Sequence, residues 1–186
     1  LGSTCCVCPC MEQRLEHCNV MDVSKIEVML GGTRAFKQAI GKGNAGNVTN
    51  MVVMFIGASG FNQPIEQWNV ENVTTMEGMF RGASAFNQPL EQWNVGNVTN
   101  MGYMFLDARA FNQPLEQWNV GNVTNMGYAF RSATVFIQPV AQWNVSNVPN
   151  MGDTFRGASA FTQHIDQWNV FNVPAIAYVL PPVLHQ

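Results

Sequence analysis

The stretch FNQPLEQWNVGNVTNMGYMFLDARA, Phe86 to Ala110, decides the architecture because the chain repeats it. Phe36, Phe61, Phe86, Phe111, Phe136 and Phe161 stand 25 residues apart, and Trp68, Trp93, Trp118, Trp143 and Trp168 keep the same interval. Carried backwards, the register puts Met11 at the Phe position and Cys18 at the Trp position. That gives seven units, starting at residues 11, 36, 61, 86, 111, 136 and 161, with no insertion or deletion. The units are numbered 1 to 7, and positions within a unit 1 to 25 from that Phe. Gln at position 3, Asn at position 9 and Val at position 13 never vary. A fixed period with fixed residues means one coil per unit, with like residues stacked from coil to coil.

Within a unit, Trp93 and Val95 alternate with polar neighbours in Gln92-Trp93-Asn94-Val95-Gly96, the period of a half-buried strand. Thr99-Asn100-Met101-x-x-Met104-Phe105 then puts apolar residues at i, i+3 and i+4, one face of a helical turn with Thr99 as its cap. Pro149 and Pro174 replace that Thr in units 6 and 7, which a first helical turn tolerates. Pro64, Pro89, Pro114 and Pro139 mark the bend before the strand, and Gly82 and Gly157 mark the return. The expectation is a right-handed, leucine-rich-repeat-like α/β solenoid of seven coils, each with one parallel strand and one short helical turn. At a strand spacing of roughly 4.8 Å the rod is about 30 Å long. The string Leu90-x-x-Trp93-x-Val95 matches the L-x-x-L-x-L core of a leucine-rich repeat.

The unit W-N-V-x-N-V-T-N-M-x-x-M-F-x-x-A-x-x-F-N-Q resembles the BspA-like leucine-rich-repeat surface-protein family, which carries a 25-residue repeat of unknown biochemical role. The likeness covers residues 36–180 well and 11–35 weakly. Cys18 and Gly43 depart from the expected Trp, and Ala129, Thr154 and Val179 from the expected second Met. The resemblance implies a secreted or cell-surface protein used in adhesion or surface structure, not catalysis, and it implies no ligand.

Composition narrows the function. Of 186 residues 47% are apolar, so a core is expected, while only 11% are charged. Asn (20) and Gln (13) fill the gap. A net charge of −3 with three Lys and six Arg argues against nucleic-acid binding, which needs a basic face. Nor does any stretch suit a membrane: Gln167–Gln186 is uncharged but holds Pro174, Pro181 and Pro182. The chain opens at Leu1 with no signal-peptide pattern, which reads as a processed form or an excerpt.

The ends differ from the middle. Residues 1–10 form a Cys-rich cap ahead of a single solenoid over 11–186. Cys5, Cys6, Cys8, Cys10 and Cys18 are read as a disulfide-pinned cap in an oxidising compartment, with one thiol free or joined to another chain. A zinc cluster with His17 is the rival, although the spacing is tighter than usual zinc patterns. Seven of the 21 charges lie in unit 1, as a terminal repeat requires. The tail after Asp166 is uncharged. It reads as an end-on contact with another copy, a cut from a longer array, or a local cap by Pro181-Pro182.

No catalytic set emerges. His17, His164 and His185 fall in different units with no matching nucleophile, and no phosphate loop or H-E-x-x-H occurs. No cofactor is expected. Asn69, Asn94, Asn119 and Asn144 (position 9) with Gln67, Gln92, Gln117 and Gln142 (position 7) predict a flat, uncharged amide face, continued by Gln167. These amides either satisfy one another or bind protein, glycan or a neighbouring rod. Ice binding is a further alternative, although Thr would be expected there. Asn47, Asn72, Asn97, Asn122 and Asn144 begin formal N-glycosylation sequons. Asn147 and Asn172 keep the Asn where Pro destroys the sequon, which points to a structural use of position 12. Glu66, Glu91, Glu116 and Asp166 (position 6) form a carboxylate ladder, read as solvated and partly paired with Arg81, Arg131 and Arg156 rather than as a calcium site. Met51, Met76, Met101, Met126 and Met151 are read as core filling, not as a copper site. The expected function is a non-enzymatic extracellular scaffold that self-assembles as a homo-oligomer or filament. The runner-up is a surface adhesin, and the third reading an ice-binding protein.

Overall fold

The computed structural model describes residues 46–174 and 179. The cysteine cap, unit 1 and most of the C-terminal tail lie outside the described residues.

Consecutive units lie one on the next in the 25-residue register. The N–H groups of Met101, Tyr103, Phe105 and Asp107 donate to the carbonyls of Asn125, Gly127, Ala129 and Arg131 of the following unit, at 2.7–2.9 Å. The same four positions (16, 18, 20 and 22) make the same bonds from unit 2 to unit 3, unit 3 to 4 and unit 5 to 6. Phe155 N–H continues the row to the carbonyl of Val179 in unit 7. Position 15 carries isolated parallel bridges, Asn50–Thr75–Asn100–Asn125–Asn150. At position 14 the N–H of Thr74, Thr99 and Thr124 donates to the carbonyl of the Thr 25 residues earlier, at 2.8 Å, and each hydroxyl donates to the same carbonyl at 3.1 Å. Pro149 has no N–H and ends that row.

The local conformation differs from the expectation. Among the described residues there is neither a helix nor a strand longer than a single bridge. Each unit is a chain of tight turns closed by N–H bonds to the carbonyl three residues back, as in Trp93 to Leu90, Val98 to Val95, Met104 to Met101 and Ala108 to Phe105. The period-two signal around Trp93 and Val95 marks two inward side chains. Between them Asn94 Oδ1 accepts the N–H of Gly96 at 3.2 Å and bends the chain out of extended form. The helical turn fails because positions 18 and 22 are left-handed. Val53, Gly78, Tyr103, Tyr128 and Asp153 have φ of 49–62°, and Gly57, Gly82, Asp107, Ser132 and Gly157 have φ of 58–74°. A left-handed residue every four positions stops the turns from winding into a helix and aims alternate N–H groups along the stack. Thr99 is therefore no helix cap, and its hydroxyl serves the preceding unit.

The inward residues make one continuous core. Phe at position 20 and Phe at position 1 interleave: Phe80 lies 4.1 Å from Phe86, and Phe80 to Phe105 and Phe86 to Phe111 are 5.5 and 5.9 Å. Stacked pairs of this kind contribute about 0.5–1.5 kcal/mol each beyond area burial. The tryptophans are buried at 3–5% exposure, and each polar handle is satisfied. The indole N–H of Trp93, Trp118, Trp143 and Trp168 donates to the carbonyl of Ile65, Leu90, Leu115 and Val140 of the unit before, at 2.9–3.1 Å. Met51, Met76, Met101, Met126 and Met151 are buried with them. Position 19 varies within this core. Ala129 takes the place of Met and leaves an apolar cavity of about 10 Å³ against Met104, Trp118 and Trp143. Thr154 fills the place with a hydroxyl whose oxygen lies 3.0 and 2.7 Å from the carbonyls of Met126 and Met151.

Candidate functional site

The amide face predicted at positions 7 and 9 is exposed. Gln67, Gln92, Gln117, Gln142 and Gln167 project into solvent, as do Asn69, Asn94, Asn119, Asn144 and Asn169. Among the described residues the position-9 amides do not bond one another. Each Oδ1 accepts the N–H two residues on, from Glu71, Gly96, Gly121, Ser146 and Phe171, at 3.1–3.3 Å. This Asx turn fixes the side chain and leaves its NH2 outward, where that of Asn69 donates to Glu71 Oε1 at 3.1 Å. The position-7 glutamines make no hydrogen bond among the described residues, so the functional group of each is free.

Mutual amide ladders form elsewhere. At position 15, Asn125 Nδ2 donates to Asn100 Oδ1 at 3.0 Å and Asn150 Nδ2 to Asn125 Oδ1 at 2.8 Å. Thr75 interrupts this row, and Glu77 Oε2 accepts from Asn100 Nδ2 at 2.8 Å in its stead. The signal for the row was Gly102 and Gly127 two residues after the Asn, since a methyl at either would lie within 3 Å of the next amide. A second ladder joins positions 2 and 3. Asn87 Oδ1 accepts the N–H of Asn112 at 2.9 Å and Gln113 Nε2 at 3.0 Å; Asn62 and Asn112 act likewise. The invariant Gln at position 3 thus has a structural task that its invariance alone did not name.

Of the sequon residues, Asn72, Asn97 and Asn122 donate Nδ2 to the carbonyls of Gly46, Glu71 and Gly96 of the unit before, at 2.6–2.7 Å. Asn147 and Asn172, which begin no sequon, make the same bond at 2.8 and 3.2 Å. Asn47 occupies the same position. Asn144 alone of the five stands at position 9.

The carboxylates of position 6 do not meet the arginines. Glu91, Glu116 and Asp166 are exposed, and Glu66 is half-buried with one oxygen unpartnered. Arg131 and Arg156 instead pair with Asp153 at 3.4 and 3.2 Å, and the Arg81 guanidinium lies 5.8 Å from the Tyr103 ring centre. Among the described residues no three His, Cys, Asp or Glu converge as a metal set, and no helix is long and apolar enough to cross a membrane. His164 lies 3.9 Å from Asp166 at the surface. His17, His185, Cys5, Cys6, Cys8, Cys10 and Cys18 lie outside the described residues.

A family model, described as a Mycoplasma protein of unknown function, DUF285, matches residues 5–114 and 90–181. The chain belongs to the DUF285 family. The two matches to this DUF285 chain overlap over 90–114, a span equal to one 25-residue unit. No curated protein and no solved structure matches it.

Proposed function

We propose that this chain is a non-enzymatic extracellular scaffold, a BspA-like, leucine-rich-repeat-like solenoid that associates with its own copies through its faces or ends. The supporting observation is how the polar groups are distributed. Asn and Gln at positions 2, 3, 12 and 15 and the indole N–H groups are engaged between units. The cavity beside Ala129 is apolar and about 10 Å³, too small for a substrate. Among the described residues, an outer surface of repeated amides is left for a partner, suited to an extended, regular one such as a second rod.

The free glutamines of position 7 favour a second reading, an adhesin. With N–H donor and carbonyl acceptor both available at each unit, that row matches the hydroxyls of a glycan or an extended peptide backbone. Electron microscopy and light scattering across a concentration series separate the two. Filaments or defined oligomers support the scaffold. A monodisperse monomer that binds a glycan array, and loses binding when Gln92 and Gln117 become Ala, supports the adhesin. A monomer that binds nothing and assembles into nothing overturns both.

A further inference from the structure

Position 18 holds a feature that stacking of the units does not require. The sequence contains three tyrosines, and two of them, Tyr103 and Tyr128, fall at this position in successive units. Their rings are 4.9 Å apart and within 3° of parallel. Both sit at left-handed φ, 60° and 62°, a conformation that bulky residues avoid and that Gly78 supplies without strain one unit earlier. Neither ring belongs to the core, since both are only half-buried. A guanidinium covers each: Arg81 lies 5.8 Å from the Tyr103 ring centre and Arg131 5.3 Å from that of Tyr128. Neither phenol hydroxyl makes a hydrogen bond among the described residues. Val53 and Asp153 hold the same position in other units, so the backbone does not demand an aromatic ring there.

With the ring faces stacked or covered, a planar ligand has little to rest on, and the chemistry left to the pair is that of two adjacent, accessible phenols. We propose that Tyr103 and Tyr128 are a site of oxidative coupling that forms an intramolecular dityrosine between units 4 and 5. The oxidant is hydrogen peroxide acting through a haem peroxidase. Each phenol loses one electron and one proton, and the two radicals join through ring carbons ortho to the hydroxyls. The hydrogens on those carbons move to the oxygens as aromaticity returns. One carbon–carbon bond forms, two hydrogen atoms leave the protein, and the peroxide is reduced to two waters. The bond adds a covalent tie between two middle units of an array in which each unit meets only its neighbours.

The test treats dilute, folded, full-length protein with horseradish peroxidase and hydrogen peroxide, then reads dityrosine fluorescence, intact monomer mass and tryptic peptides. The expected result is a monomer lighter by two hydrogen atoms, with peptide 82–109 joined to peptide 110–131. Tyr103→Phe and Tyr128→Phe each abolish the product, while Tyr178→Phe leaves it unchanged. The Phe variants keep the ring stack, and matching unfolding curves exclude loss of the product through misfolding. Absence of the product, coupling mainly between chains, coupling through Tyr178, or persistence in Tyr103→Phe overturns the proposal.

Discussion

Gly102→Ala probes the position-15 amide ladder with a single methyl. The added Cβ would lie 2.7 Å from Asn125 Nδ2 and 3.2 Å from both Asn125 Cγ and Asn100 Oδ1. Asn125 cannot yield freely. Its Oδ1 accepts the Gly127 N–H at 3.0 Å and its Nδ2 donates to Asn100 at 3.0 Å. Its Oδ1 also accepts from Asn150 Nδ2 at 2.8 Å, so moving it forfeits three hydrogen bonds, about 1 kcal/mol net each. Restricting the unfolded chain returns about 0.4–1 kcal/mol. The net loss is about 2–3 kcal/mol, or about 4–12 °C in Tm for a chain of this length. Gly152→Ala is the matched control in the same position of unit 6. Among the described residues its methyl meets only Asn150 Oδ1, at 3.9 Å, so it should stabilise by about 0.5 kcal/mol. Urea unfolding of both variants, with Asn125→Ala to complete a double-mutant cycle, reads the difference. The cost of Gly102→Ala should shrink when Asn125 is Ala. Equal effects of Gly102→Ala and Gly152→Ala would mean that the Asn125 amide is not held in place.

Three other substitutions test separate parts of the stack. Trp118→Phe loses the indole bond to the Leu90 carbonyl (2.9 Å) and some volume, and should lower stability by about 1–3 kcal/mol in urea. Ala129→Met restores the residue found at 54, 79 and 104, but its three added heavy atoms exceed the cavity of about 10 Å³, so Met104, Trp118 and Trp143 must give way. It should lower the urea midpoint by the equivalent of about 1–3 kcal/mol with an unchanged slope. Ile137→Asn replaces an apolar residue that is 45% exposed and supplies an Oδ1 for the Thr162 N–H and Gln163 Nε2, as Asn112 does for unit 6. A gain of about 0.5–1.5 kcal/mol in thermal unfolding is expected.

The repeat carries its own register, so the inward set could be read directly. Phe86, Trp93, Val95, Val98, Met101 and Phe105 are all buried. The backbone path could not be read this way. Trp93-Asn94-Val95 has the alternation of a strand, yet an Asx turn at Asn94 sets the direction, and side-chain periodicity is the same for either. Met101, Met104 and Phe105 have helical spacing, yet Tyr103 and Asp107 are left-handed; the tyrosine gives no sign of it, and only the glycines at these positions in other units, Gly78 and Gly57, Gly82 and Gly157, mark the turn. The exposed face was found because Trp93 and Val95 point inward and Gln92 and Asn94 must then point out. The working amide ladder at position 15 was not found, because Asn100 and Asn125 sit beside a buried Met rather than between two buried residues. Only the glycines two places on mark it.

Alternate N–H groups at positions 16 to 22 of one unit are bound to the next unit rather than to their own. Through-hydrogen-bond scalar couplings in a long-range HNCO spectrum observe such pairs directly. Cross-peaks are expected from Tyr103 N to Gly127 C′ and from Phe105 N to Ala129 C′, a separation of 24 residues repeated in units 2 to 5. Couplings from Asp107 N to Tyr103 C′, four residues back as in a helix, would contradict this pairing.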